Sequence, residues 1–156
     1  MRILVLSDSH GCVDPMQQCV ELVQPQAILH LGDCARDADR LGRLYPRIPL
    51  LGVPGNCDYA PAVPQSLTLE LDGVRIFVTH GHLYGVKRDL TALAGAAKDA
   101  GARLALFGHT HIQHLEERGG ITLLNPGTAG RFGHSGYAVV EIKDGAFSCR
   151  LETDTE

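Results

Sequence analysis

Five times in this 156-residue chain a short apolar run stops at Gly, Asp, Asn or His. ILVL leads to Ser7-Asp8-Ser9-His10, AILHL to Gly32-Asp33, and LLGVP to Gly55-Asn56-Cys57-Asp58. IFVT leads to His80-Gly81-His82, and LALF to Gly108-His109-Thr110-His111. Short apolar runs bounded by turn residues read as buried strands. One strand that stops at a metal-ligating side chain is ordinary. Five predict a fold whose strand ends converge on one pocket, and a pocket that holds metal.

The segments between these stops set the fold class. Residues 2–7, 26–31 and 48–53 read as strands. Between them lie a helix capped by Asp14, with Pro15 at its first position, and a short helix over about 36–44. Met16, Cys19, Val20 and Val23 recur at helical spacing in the first helix. The βαβαβ order predicts parallel pairing, and the unbroken apolar strands predict cover on both faces. The second half changes character. Asp72-Gly73, Gly119-Gly120 and Asp144-Gly145 announce hairpins, while Leu90, Leu93, Ala94 and Ala97 mark a helix ending at Gly101. The expected architecture is α/β: two mixed sheets packed face to face with helices outside. A single domain over 1–156 is expected, with Thr153–Glu156 as a frayed tail.

Composition narrows the function classes. The net charge is −4 with scattered basic residues, which argues against a dedicated binder of long nucleic acid. A small phosphate substrate remains compatible, because metal ions can supply positive charge locally. No apolar stretch approaches the ~20 residues of a membrane span. Met1 and Arg2 lead straight into the first apolar run, leaving no room for a cleavable signal. The five cysteines (12, 19, 34, 57 and 149) are odd in number and contain no Cys-x-x-Cys, as expected of reduced thiols in a cytoplasmic protein.

In an extended segment, residues i and i+2 face the same way, so Asp8 and His10 can reach one ion together. His109 and His111 can face the same pocket at a separation suited to two ions ~3.5–4 Å apart. Asp33 brings the carboxylate able to bridge two cations, Asn56 a neutral carbonyl oxygen, and His80 another imidazole. This nitrogen and oxygen set suits Mn, Fe, Co, Ni or Zn better than Ca or Mg. Taken singly, each block has a plainer reading. Asp33 can cap the following helix, His80 and His82 can be ordinary hydrogen-bonded histidines, and Gly-Asn-Cys-Asp can be a tight turn. Their joint occurrence at five strand ends outweighs those readings. His30, inside a strand, and His114, beyond the paired histidines, read as structural.

The ordered set Asp8-x-His10, Gly32-Asp33, Gly55-Asn56, His80-Gly81-His82 and Gly108-His109-Thr110-His111 resembles the calcineurin-like metallophosphoesterase superfamily. It is most similar to the small, uncapped bacterial and archaeal phosphodiesterase branch, whose late Asn-Pro-Gly-Ser/Thr loop matches Asn125-Pro126-Gly127-Thr128. The resemblance implies a four-layer α/β/β/α sandwich with two divalent transition-metal ions, manganese foremost. One ion would be bound by Asp8, His10, Asp33 and His111, the other by Asp33, Asn56, His80 and His109. It further implies in-line attack of a metal-bridging hydroxide on a small phosphodiester or nucleotide.

Many members of that family carry His directly after the Gly-Asn pair, where this chain has Cys57. A thiol protonates an alkoxide-like leaving group less well than an imidazolium, so Cys57, Asp58 and His82 are all candidates for the catalytic acid. Arg131 and His134, after the Asn-Pro-Gly loop, are candidates for touching substrate phosphate. With no cap domain in view, an open site of broad tolerance is expected, and a homo-oligomer is left open. The competing reading is a non-catalytic interaction scaffold, as in the membrane-coat subunit of retromer, which resembles the family but has lost part of the ligand set. All seven ligand positions are filled here, which favours a hydrolase. A nuclease is disfavoured by the acidic charge.

Overall fold

A computed structural model of the chain describes residues 1–59, 63–130 and 135–154. The first half runs β1 (Arg2–Leu6), α1 (Asp14–Val23), β2 (Ala27–His30), α2 (Ala35–Leu44) and β3 (Leu50–Gly52). It continues with β4 (Ser66–Leu71), β5 (Val74–Thr79), a 3-10 turn (His82–Tyr84), α3 (Thr91–Asp99) and β6 (Leu104–Leu106). Last come β7 (His114–Arg118), β8 (Ile121–Asn125), β9 (Ser135–Lys143) and β10 (Ala146–Asp154).

Ten strands form two five-stranded sheets, ordered β10-β9-β1-β2-β3 and β4-β5-β6-β8-β7. In β1, Ile3 and Val5 point between the sheets, while Leu4 and Leu6 point out under α1 and α2. Both faces are covered, which is why the strand is apolar throughout. Ile76, Val78, Leu104, Leu106 and Leu124 answer Ile3 and Val5 from the second sheet. Phe77, Ala105, Phe107 and Leu123 face outward under Leu93 and Ala97 of α3. The layers are therefore α/β/β/α, the expected sandwich.

Some local expectations need correction. Helix α1 has Val13 at its N-cap with no side-chain capping bond, so Asp14 sits in the first turn beside Pro15. There its carboxylate still favours the positive end of the helix dipole. The second half is not simply antiparallel. Strands β5, β6 and β8 are parallel, and β4 and β7 close that sheet as antiparallel edges. The β9–β10 hairpin returns to the first sheet, with β9 antiparallel to β1. Strand β10 continues to Asp154, paired with Ser135, so Thr153 and Asp154 of the expected tail belong to the sheet.

All three two-residue hairpin turns have both central residues at positive φ, the mirror-image turn that matches strand twist. Two of them touch across the sheets: the Gly145 N–H donates to the Asp72 carbonyl at 2.8 Å, and the Asp144 N–H to the Asp72 carboxylate at 3.1 Å. This contact lies at the end of the sandwich where β5 begins and β9 finishes. No helix among the described residues is long and apolar enough to cross a membrane.

Candidate metal centre

Strands β1, β2, β3, β5 and β6 all deliver their C-terminal junctions to the opposite end of the sandwich. Neighbouring junctions are stitched through the backbone: the Asp8 N–H donates to the Gly32 carbonyl at 2.9 Å, and the Gly108 N–H to the His80 carbonyl at 2.8 Å. Their approach is too close for side chains at the glycines. A Cβ at Gly55 would collide with the Asp33 carboxylate, and one at Gly108 with the Ser7 hydroxyl. Asp8, His10, Asp33, His109 and His111 have positive φ, between 46° and 71°. These junctions are thus tight left-handed bends, and the extended i, i+2 geometry expected for Asp8 and His10 is not what brings them together.

The bends gather two donor groups, Asp8 with His10 and His111, and Asp33 with His80 and His109. Each group draws on both sheets. Within each, the donor atoms lie within 4.8 Å of one another. His111 Nε2 stands 3.2 Å from Asp8 Oδ1 and 3.2 Å from His10 Nε2. His80 Nε2 is 3.5 Å from Asp33 Oδ2 and 3.8 Å from Asp8 Oδ1. Asp33 Oδ2 is also 3.9 Å from His10 Nε2, so it lies between imidazoles of both groups. Asn56 joins the second group with its Oδ1 3.1 Å from His80 Nε2.

The donors fit a pair of cations. Asp8 is wholly buried; its Oδ2 accepts the Ser7 hydroxyl at 2.6 Å and the His109 N–H at 3.1 Å. Its Oδ1 is buried with no hydrogen-bond partner while facing imidazole nitrogens. An unpartnered buried carboxylate oxygen costs several kcal/mol unless a cation meets it, about the penalty for an isolated buried ion. His80 Nδ1 donates to the Leu31 carbonyl at 2.7 Å, which leaves Nε2 as a lone pair aimed at Asn56 Oδ1. Two acceptors in contact call for a positive charge between them.

Electrostatics favour the ligating forms of Asp33 and His109. Burial raises the Asp33 carboxyl, but the Cys57 N–H and thiol and the nearby His80 and His10 outweigh it, holding the pKa below the ordinary value. Burial lowers the His109 pKa, helped by His80 and Lys87.

A model of the calcineurin-like phosphoesterase superfamily domain matches residues 1–145. The chain belongs to this superfamily. It is similar to the probable metallophosphoesterase YsnB of Bacillus subtilis, 34% identical over 82% of this chain and 75% of that one. Phosphodiesterase YfcE of Escherichia coli is 29% identical over 82% of this chain and 79% of its own length. Among solved structures, a conserved phosphoesterase-like protein of Streptococcus pneumoniae superposes with a TM-score of 0.79 at 31% identity, covering 97% of this chain and 88% of that one. The zinc complex of Vps29 from Entamoeba histolytica, at 20% identity, shares the fold, with a TM-score of 0.77 over 98% of this chain and 99% of that one.

The candidate acids of this phosphoesterase fare unequally. Asp58 is withdrawn from the role expected of it. Its Oδ1 accepts the Ala35 N–H at 2.8 Å, and its Oδ2 the Asp33 and Gly55 N–H groups, both at 2.9 Å. A carboxylate receiving three backbone donors is an acceptor that pins two junctions together. Cys57 is exposed, its N–H donates to Asp33 Oδ1 at 2.9 Å, and the Asp33 charge followed by burial pushes its thiol pKa up. His82 has a buried, unpartnered Nδ1 and a pKa lowered by burial and by His80, against the pull of Asp33. Its ring lies 5.4 Å from that of His80. Arg131 and His134 lie outside the described residues.

The residues that support the donors were less visible in the sequence. The Asn125 amide donates to the Gly108 carbonyl and to the Thr110 hydroxyl, and the Thr128 hydroxyl donates to the Asp8 carbonyl at 2.7 Å. The Asn-Pro-Gly-Thr loop thus clamps two ligand junctions. Asp37, buried in α2, accepts the Gly11 N–H at 2.7 Å. Its only signal was a carboxylate next to the apolar stripe of Ala38 and Leu41.

Proposed function

We propose that this metal-dependent phosphoesterase hydrolyses small phosphodiesters at a centre for two divalent cations. The observation that carries the reading is Asp8 Oδ1, buried and unpartnered among imidazole nitrogens. Asp8, His10 and His111 with Asp33 would hold one cation, and Asp33 with Asn56, His80 and His109 the other. Manganese and its first-row neighbours suit these donors. When bound, the two ions supply the charge that makes water nucleophilic near neutral pH and draws electrons from phosphorus.

The chain itself orients and excludes. The Leu31 carbonyl fixes the tautomer of His80, and Ser7 and the His109 N–H fix the plane of the Asp8 carboxylate. Attack in line with the leaving oxygen then places the departing group on the far side of phosphorus. Neither Cys57 nor His82 is a strong acid there. The thiol pKa is raised, and the imidazole pKa is lowered, which leaves the ring neutral near pH 7. Diesters with good leaving groups are therefore the favoured substrates. Free thiols at all five cysteines suit the reducing cytoplasm.

A non-catalytic scaffold with this fold has no use for seven converging donors, so the hydrolase reading is preferred. The test is Asp33→Ala assayed on bis(p-nitrophenyl) phosphate with manganese. Loss of at least about a hundredfold in turnover is expected, with fewer than two ions retained per chain by metal analysis. Wild-type protein that binds no metal or shows no turnover overturns the proposal.

A further inference from the structure

Beside the metal centre lies a cavity of about 560 Å³ that the chemistry above does not use. It adjoins the centre directly, because Thr110, between His109 and His111, is part of its wall. The floor is apolar, with Val86, Leu90 and Phe107. Ile112 stands at the rim, 68% exposed. The His114 ring presents an edge-on partner to Phe107, with centroids 6.5 Å apart.

The cavity's charges are unevenly committed. Glu116 accepts from His114 at 2.7 Å and pairs with Arg118 at 3.3 Å, and Asp89 accepts the Thr91 N–H at 2.9 Å. Lys87 and Arg88 are exposed and, among the described residues, pair with no carboxylate. Two free cations beside an apolar floor, next to a phosphate-cleaving centre, match a ligand that is both ring-bearing and anionic. The volume lies within the range of small-molecule pockets.

We propose that this cavity binds the non-reacting arm of a nucleotidyl phosphodiester, Lys87 and Arg88 holding a second phosphate while the base lies against Ile112 and His114. The inference rests on the phosphodiesterase reading and gives it a substrate class.

Two substrates with one reacting bond separate the arms: the p-nitrophenyl ester of thymidine 5′-phosphate, and the same ester carrying a 3′-phosphate. The 3′-phosphorylated ester is expected to show a KM about tenfold lower, the effect of one charge-assisted contact. The Lys87→Gln/Arg88→Gln double variant should bring the KM ratio to about one, whereas Lys98→Gln, removing a cation from α3 outside the cavity, should preserve it. Equal KM values for wild type, or a ratio unchanged in the double variant, overturn the subsite. Calorimetric titration with thymidine 3′,5′-bisphosphate gives a readout free of turnover. Binding that weakens about tenfold in the double variant supports the subsite even if no ester is cleaved, in which case the hydrolase reading alone fails. Cleavage of bis(p-nitrophenyl) phosphate without any dependence of bisphosphate binding on Lys87 and Arg88 leaves the hydrolase standing and removes the subsite.

Discussion

Asp8, His10, Asp33, His109 and His111 hold left-handed backbone without being glycine, at a cost on the order of 1–2 kcal/mol each. The other non-glycine cases among the described residues have plain structural reasons. Asp72 and Asp144 open hairpin turns, and Gln24 closes α1. Strain is therefore concentrated on the donors, where it turns side chains inward. His10 tests this well, because its side chain is 39% exposed. In metal-free protein His10→Gly is expected to melt above His10→Ala, equivalent to about 1 kcal/mol. The opposite order in thermal unfolding would show that the bend is not held. His30 offers a second test. Burial overrides the nearby Asp37, Asp8 and Asp58 charges and pulls its pKa from 6.5 to about 4. The unfolded chain takes up this proton near 6.5 and the folded one only near 4, so stability from this group is whole above 6.5. It falls by about 3 kcal/mol as pH drops between the two values. His30→Asn keeps an acceptor for the Gly32 N–H and should flatten the melting-temperature curve over that interval. An unchanged slope would assign the titration to other groups. Donor identity could be read directly, since Asp, Asn and His at strand ends stand out against apolar runs. Their φ angles could not, because only the packing of one junction on another imposes them.

At the level of elements, the junctions act as pairs. Asp58 ties the Asp33 junction to the Gly55 junction through three N–H donors. In Asp58→Asn one oxygen becomes an NH2 that cannot accept, leaving at least one buried donor facing a donor. The expected loss is about 2 kcal/mol in denaturant unfolding, together with weaker metal retention, because Asp33 is no longer held. Full stability with full metal content would show that the staple is dispensable. The strands and hairpins were legible to within a residue or two, since alternating apolar faces and Asp-Gly or Gly-Gly turns are local signals. The α1 cap was misread because Asp14 and Pro15 satisfy the same preference from neighbouring positions. The parallel placement of β8 beside β6, and the return of β9 to β1, are long-range pairings that no local pattern encodes.

For the whole molecule, the two sheets meet through an apolar interior and through their two ends. At one end the Gly145 and Asp144 backbone N–H groups join hairpin to hairpin by donating to the Asp72 carbonyl and carboxylate. At the other, Asp8, His10 and Asp33 of the first sheet face His80, His109 and His111 of the second across the same gap. Chelation with EDTA is expected to lower the melting temperature by roughly 5–10 °C per saturated site lost, since ligands that bind only the folded state stabilise it. No shift would mean that the donors do not bind metal in the folded protein. The two ends also differ in kind, because the backbone bonds persist without metal while the facing donors then repel or go unpaired. The sandwich therefore behaves as a hinged pair of boards with a removable clasp. On losing its ions it should breathe from the clasp side only, with faster amide exchange at Leu31, Val53 and Gly108 and an unaltered rate at Gly145.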